Sequence, residues 1–181
     1  MLAGLPGVPI HVKCVNMAAI TPVASPQFLR EAEIRRGIEL LYFGYGNMIK
    51  GADARLAETG LGRAHHRALY FIARRPGMPV SDLLRLLNIT KQSLSRVLGE
   101  LQAEGYVAQE VGKRDRRQRL LRLTPKGEEL ESMLFERLRE RMTAAYSQAG
   151  QQAVTGFWAV LLGLVPVADR PMIQELQASL R

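Results

Sequence analysis

The densest chemistry in the chain lies between Lys113 and Arg122. Here Lys113, Arg114, Arg116, Arg117, Arg119 and Arg122 stand against one acid, Asp115. Cations at this density suit phosphate, and arginine suits a narrow A·T-rich minor groove, where the potential is more negative. Strand alternation cannot send all six into a core, so most must project outward. Asp115 would repel a phosphate backbone, so it is expected to pair with an arginine and hold the shape of the tip. A charged hairpin that merely discourages edge-to-edge aggregation has a similar composition.

A second group precedes it. In Thr90 to Leu101, helical phase sends Leu94, Val97, Leu98 and Leu101 to one side. Lys91, Gln92, Ser95, Arg96 and Gly99 are left on the other, with Ser93 near the boundary. Gln can read adenine through two hydrogen bonds and Arg can read guanine, whereas Ser is less selective. Lys91 and a capped helix amino end suit phosphate. A solvated helix face carries the same residue types, so the surrounding elements must decide between the two.

Those elements are legible. Ser25-Pro26 reads as a helix start, a capping hydroxyl followed by proline. Phe28, Ile34, Ile38, Leu41, Tyr45, Met48, Ala52 and Leu56 then recur mostly at steps of three and four, predicting one long helix ending near Gly60-Leu61-Gly62. A second helix is expected over Arg63 to Arg74 and is stopped by Arg75-Pro76-Gly77. A short third helix runs from Val80 to Leu87. After the Asn88-Ile89 turn, Thr90 caps a fourth that reaches about Glu104 and ends at Gly105. Two short helices joined in this way form a helix-turn-helix. Tyr106 to Val111 and Gln118 to Thr124 read as strands joined by the hydrophilic run Gly112 to Arg117, a β-wing. Thr124-Pro125 opens a further helix to about Gly150, and Gln151 to Arg181 follows, divided by Pro166 and Pro171. The fold class expected is mainly α with a small β-wing: a winged helix-turn-helix with terminal dimerisation helices.

Composition narrows the function. The 181 residues are 47% hydrophobic but 6% aromatic, which favours packed helices over a β-sandwich. The net charge of +8 favours a polyanionic partner. Cys14 is the only cysteine, which excludes an intrachain disulfide and a thiolate zinc site and suits a reducing cytoplasm. No apolar run approaches the roughly 20 residues of a membrane helix, so no membrane partner is expected. Adjacent His65 and His66 diverge by about 100° around a helix axis, so no metal site is expected. No nucleophile elbow, phosphate loop, paired-carboxylate motif or metal-ligand cluster is found. Neither an enzyme nor a cofactor is therefore expected. The stretch before Pro26 is broken by Pro6, Pro9 and Pro22. It reads as a disordered arm, or as a start extended ahead of initiation at Met17.

Three motifs in register carry a resemblance. Asp115 to Thr124 matches D-x-R-x-x-x-[LV]-x-L-T, Gly105-Tyr106-Val107 matches G-[LYF]-[VI], and Leu123-Thr124-Pro125-Lys126-Gly127 matches L-T-x-x-G. Over roughly Phe28 to Leu180 the chain resembles the MarR family. The resemblance implies a sequence-specific, double-stranded DNA-binding transcriptional regulator. It implies a homodimer that reads a pseudo-palindromic operator, with helix 90–104 in the major groove and wing 112–118 in the minor groove. Arg117, at the arginine of the D-x-R pattern, is then the minor-groove residue.

The organisation expected is an arm over 1–25, an N-terminal dimerisation helix over 26–60, a winged helix-turn-helix over 61–124 and C-terminal dimerisation helices over 125–181. The long first helix and the Phe157-Trp158-Leu161-Leu162-Val165 surface exceed what a small winged helix can bury, which points the same way. DNA contacts are expected from Lys91, Gln92, Ser93, Ser95 and Arg96 on the helix, and from the wing at Lys113, Arg114, Asp115, Arg116 and Arg117. Relatives often bind small aromatic or phenolic effectors between the dimer layer and the DNA-binding lobes. The candidates here are Tyr42, Tyr45, His65, His66, Arg67 and Tyr70, each a residue type more often used for packing or at a surface. Some relatives sense oxidants through a cysteine near the first helix. Cys14 lies in the Pro-rich arm with Lys13 as its one activating neighbour. Two alternatives remain: a constitutive architectural DNA-binding protein without effector, and a winged helix used as a protein-interaction module. The second predicts a wing poor in basic residues.

Overall fold

A computed structural model describes residues 25–112 and 115–178. The arm before Ser25, with Cys14 and Met17, lies outside them, as do Lys113, Arg114 and the last three residues. The described residues separate between Leu41 and Tyr42 into two units.

In the first unit, Ser25 precedes a 3-10 turn, Pro26–Leu29, and its side chain makes no cap hydrogen bond. Arg30 is extended (φ −68°, ψ 145°), so the long helix predicted from Pro26 begins only at Glu31. A 3-10 turn with poorer hydrogen-bond geometry needs packing to lengthen, and none of its four residues is buried. Helix α1 is Glu31–Ala57. Its first turn carries Glu31 and Glu33, which favour the positive end of the helix dipole.

The second unit holds the rest of α1, then α2 (Arg63–Arg74), β1 (Met78–Pro79), α3 (Val80–Leu87) and α4 (Lys91–Ala103). It continues through β2 (Val107–Val111), β3 (Arg119–Leu123), α5 (Pro125–Leu164) and α6 (Arg170–Ala178). The sheet is antiparallel in the order β1-β3-β2, with Val107 opposite Leu123 and Gln109 opposite Leu121. Strand β1 is absent from the sequence reading, because two residues, one of them proline, carry no alternation. It forms because Met78 is buried opposite Leu121 while Gly77 N–H donates to the Leu121 carbonyl at 2.8 Å.

One core joins these elements. It runs from Ala52 and Leu56 of α1 through Leu69 and Ile72 of α2, Leu83 and Leu87 of α3, and Leu94, Val97 and Leu101 of α4. Leu121 of β3 and Leu130 and Leu134 of α5 close it. Within α5 the backbone leaves the helical region at Gly150 (φ 79°, ψ 164°), so its first stretch ends where the sequence predicts and a second helical stretch follows from Gln151. Pro171 does not divide the last segment as expected. It occupies the second position of α6, where a missing N–H costs no intrahelical bond. Arg74 of α2 donates to the Leu176 carbonyl of α6 at 2.7 Å. Among the described residues no single helix is long and apolar enough to cross a membrane.

Candidate nucleic-acid interface

The interface is built outward from α4. Thr90 sits extended before it and accepts the Ser93 N–H at 3.1 Å, the cap expected of a threonine here. The Thr90 hydroxyl also donates to Ser93 Oγ at 2.9 Å, so the Ser93 side chain serves the cap. Leu94, Val97, Leu98 and Leu101 are buried, while Lys91, Gln92, Ser93, Ser95 and Arg96 are all exposed. The polar stripe expected from helical phase is thus a solvent face backed by a packed one.

The preceding turn is fixed from both sides. Asn88 takes a left-handed conformation (φ 49°, ψ 52°), which asparagine tolerates better than most residues. Arg67 of α2 donates to the Leu87 carbonyl at 2.7 Å, satisfying one of the free carbonyls at the end of α3. Beyond α4, Gln102 donates to Gln109 Oε1 at 3.1 Å and ties the helix to β2.

The motifs around Gly105 and Thr124 are two sides of one joint. Thr124 Oγ1 accepts the Gly127 N–H at 3.1 Å and donates to the Gly105 carbonyl at 2.6 Å. Thr124 N–H donates to the Tyr106 carbonyl at 3.0 Å. A Cβ on Gly127 would lie 2.0 Å from that same carbonyl oxygen, so only glycine fits. Lys126 donates to the Glu104 carbonyl at 2.7 Å and lies 4.4 Å from the centre of the Tyr106 ring. The end of α4 and the start of α5 are thereby locked together, and the wing leaves and returns through that lock.

In the wing, Gly112 N–H donates to the Gln118 carbonyl and Gln118 N–H to the Asp115 carbonyl, each at 3.0 Å. A Cβ on Gly112 would meet the Asp115 carbonyl at 2.6 Å. The Asp115 carboxylate accepts the Arg117 backbone N–H at 2.9 Å. Asp115 therefore shapes the tip, as expected, but through the backbone. Among the described residues it forms no ion pair with an arginine side chain. Arg116, Arg117 and Arg119 are exposed. Arg122 is partly neutralised by Glu110, 3.5 Å away across the hairpin. Lys113 and Arg114 lie outside the described residues.

A sequence model of the MarR family matches residues 59–118, from the end of α1 to the wing. Over 150 residues the chain is 47% identical to the HTH-type transcriptional regulator PetP of Rhodobacter capsulatus, covering 83% of this chain and 90% of that one. The chain belongs to the MarR family. It is a DNA-binding transcriptional regulator and not an enzyme. A MarR-family regulator from Silicibacter pomeroyi superposes with a TM-score of 0.61 at 26% identity, covering 71% of this chain and 88% of that one. NadR in complex with 4-hydroxyphenylacetate gives a TM-score of 0.62 at 22% identity, covering 70% and 90%.

In this MarR-family chain the six effector candidates differ widely in burial. Tyr42 and Tyr45 are exposed on α1. His65 and His66 are buried, Arg67 braces α3, and Tyr70 packs in edge contact with Phe71, with ring centres 5.4 Å apart. A groove beside Gly150 is lined by Tyr146, Val154 and Trp158, and another by Leu29, Ile34 and Ile38. Neither involves the candidates. His66 has its pKa lowered by burial, opposed by the nearby Asp53 charge. Asp53 accepts both Arg63 Nε and Nη2 on one oxygen, at 2.9 and 2.8 Å, while its other oxygen is buried without a partner among the described residues. Glu100, absent from the sequence reading, contacts both His65 and Arg96. A Leu-Gly-Glu-Leu run carries no signal of a partner 35 residues earlier in the chain.

Proposed function

We propose that this regulator acts in the cytoplasm as a homodimer on a pseudo-palindromic operator, with α4 in the major groove and the wing tip in the minor groove. The observation that carries the proposal is the exposed row Lys91, Gln92, Ser93, Ser95 and Arg96, on a capped helix tied to α2 through His65 and Glu100 and to β2 through Gln102 and Gln109. A capped helix of this kind fits the major groove, where base edges are distinguishable. Lys91 is assigned to phosphate, Gln92 and Arg96 to base edges, and Ser93 and Ser95 to less selective contacts. In the wing, Arg116 and Arg117 are assigned to the minor groove and its rim, with Lys113 and Arg114 as further phosphate contacts. Asp115 holds the Arg117 backbone for that task.

Dimerisation is supported by the apolar side chains left outside the core. Phe28, Ile34, Ile38 and Leu41 in the first unit are exposed, as are Phe157, Trp158 and Leu164 in the second. We assign 26–60 and 125–181 to the dimer layer and 61–124 to DNA. A small aromatic or phenolic effector follows the example of NadR, with Tyr42, Tyr45 and Tyr70 as its candidate contacts. The buried His65 and His66 and the bracing Arg67 fit structural roles better.

The test is a gel-shift titration at fixed salt with Arg117→Ala. Operator affinity should fall by at least about fivefold, the low end for one specific groove contact, with the dimer intact by sedimentation. Unchanged affinity would reject the wing assignment.

A further inference from the structure

We propose that Glu100, pinned by His65, sets the sequence specificity of the recognition helix by positioning Arg96 and restraining its charge. The proposal rests on the reading of Arg96 as a base-contacting residue.

Three contacts run from α2 to the DNA-facing side of α4. The Gly62 N–H donates to His65 Nδ1 at 3.0 Å, which leaves the ring proton on Nε2. Nε2–H then donates to Glu100 Oε2 at 2.6 Å. The other carboxylate oxygen, Oε1, lies 3.8 Å from Arg96 Nε. The His65 side chain is 10% exposed, Glu100 47% and Arg96 76%, so the chain of contacts begins in the interior and ends at the surface.

A surface Glu–Arg pair one turn apart is usually weak, because ordering two long side chains offsets the attraction. Here the carboxylate is already ordered. A buried imidazole holds it, and the backbone holds the imidazole. Arg96 therefore meets an anchored partner and loses only its own freedom. The consequence for recognition is asymmetric. A guanidinium with a carboxylate beside it gains less from a bare phosphate, a contact that carries no sequence information. Its bidentate contact with a guanine edge depends on geometry, which the anchored carboxylate helps to set. Glu100 thus lowers affinity for arbitrary DNA more than for the preferred site. A purely structural role, tying α2 to α4, would change stability and leave this ratio alone.

The experiment compares two duplexes of equal length, one selected by the wild-type protein from a random-sequence pool and one scrambled. Affinities are measured by fluorescence anisotropy at one salt concentration. Glu100→Gln keeps the side-chain shape and removes the charge. It should tighten binding to the scrambled duplex and lower the specific-to-scrambled ratio by about fivefold or more, the low end of what one bidentate base contact discriminates. His65→Gln should lower the ratio in the same direction, and the double variant should lose no more than Glu100→Gln alone. Arg96→Ala separates the two readings. If it lowers the ratio while Glu100→Gln stays within about twofold of wild type, less than one such contact discriminates, the role assigned to Glu100 is overturned. If Arg96→Ala leaves the ratio unchanged, the base-reading assignment fails and this proposal falls with it. Should Glu100→Gln fail to fold, Glu100→Asp, with its charge withdrawn by one methylene, is judged by the same ratio.

Discussion

Gly127 shows how a single residue can be fixed by a distant one. An added Cβ would stand 2.0 Å from the Tyr106 carbonyl oxygen, which is backbone and already accepts the Thr124 N–H. Gly127→Ala must therefore push α5 away from the end of α4. We expect a loss of about 1–3 kcal/mol, typical of overpacking, read as a lower denaturant midpoint with unchanged slope. His66 sets a pH limit on the same scale. Burial holds its folded pKa below the ordinary 6.5, with Asp53 opposing. As pH falls below that ordinary value, the unfolded chain takes up a proton that the folded one resists, so stability falls with falling pH. The loss levels off below the folded pKa. Urea midpoints at several pH values between neutral and mildly acid should show this decline, and His66→Gln should flatten it. An equally steep decline in the variant would place the proton uptake elsewhere. The histidine pair was visible in the sequence as a poor metal site. Its burial was not, because burial depends on elements distant in the sequence, α4 and α5 among them, packing against α2.

Among the elements, α4 was almost fully legible and the wing nearly so. Helical phase alone separates Leu94, Val97, Leu98 and Leu101 from the polar row, and Thr90 and Gly105 mark the two ends. Short or tertiary features were not legible. Strand β1 has two residues, and the Ser25-Pro26 signal opens only a 3-10 turn. Local signals report what a segment can begin, whereas packing decides how far it continues. The base readout proposed for α4 is tested at the scale of the whole helix. Gln92→Ala or Arg96→Ala should change which bases the protein prefers. Lys91→Ala should weaken all sequences alike and reduce the slope of log affinity against log salt by about 1. Equal losses on selected and random DNA for all three variants would reject base reading by this helix. Removal of the cap by Thr90→Ala should cost about 1 kcal/mol of stability.

Over the whole molecule, the core is complete between Ile49 and Leu134, and large apolar side chains on either side of it remain exposed. That division follows from the sequence, in which apolar helical periodicity extends well beyond the winged helix at both ends. Ile38→Asp with Leu41→Asp should shift sedimentation toward monomer and leave the urea midpoint of the winged helix nearly unchanged. A dimer that persists would remove the N-terminal helix from the interface. Footprinting distinguishes a dimer that places two copies of α4 in the major groove and two wings in the minor groove from any other arrangement on DNA. The duplex would be one selected by the wild-type protein from a random pool, probed by hydroxyl radicals and by guanine methylation. Such a dimer should protect an inverted repeat whose half-site centres lie a whole number of turns apart, each turn about 10 base pairs. Major-groove guanines should be protected in each half, and minor-groove protection beside them should be lost in Arg117→Ala. A single protected half-site without dyad symmetry, or wing protection that survives Arg117→Ala, would contradict it.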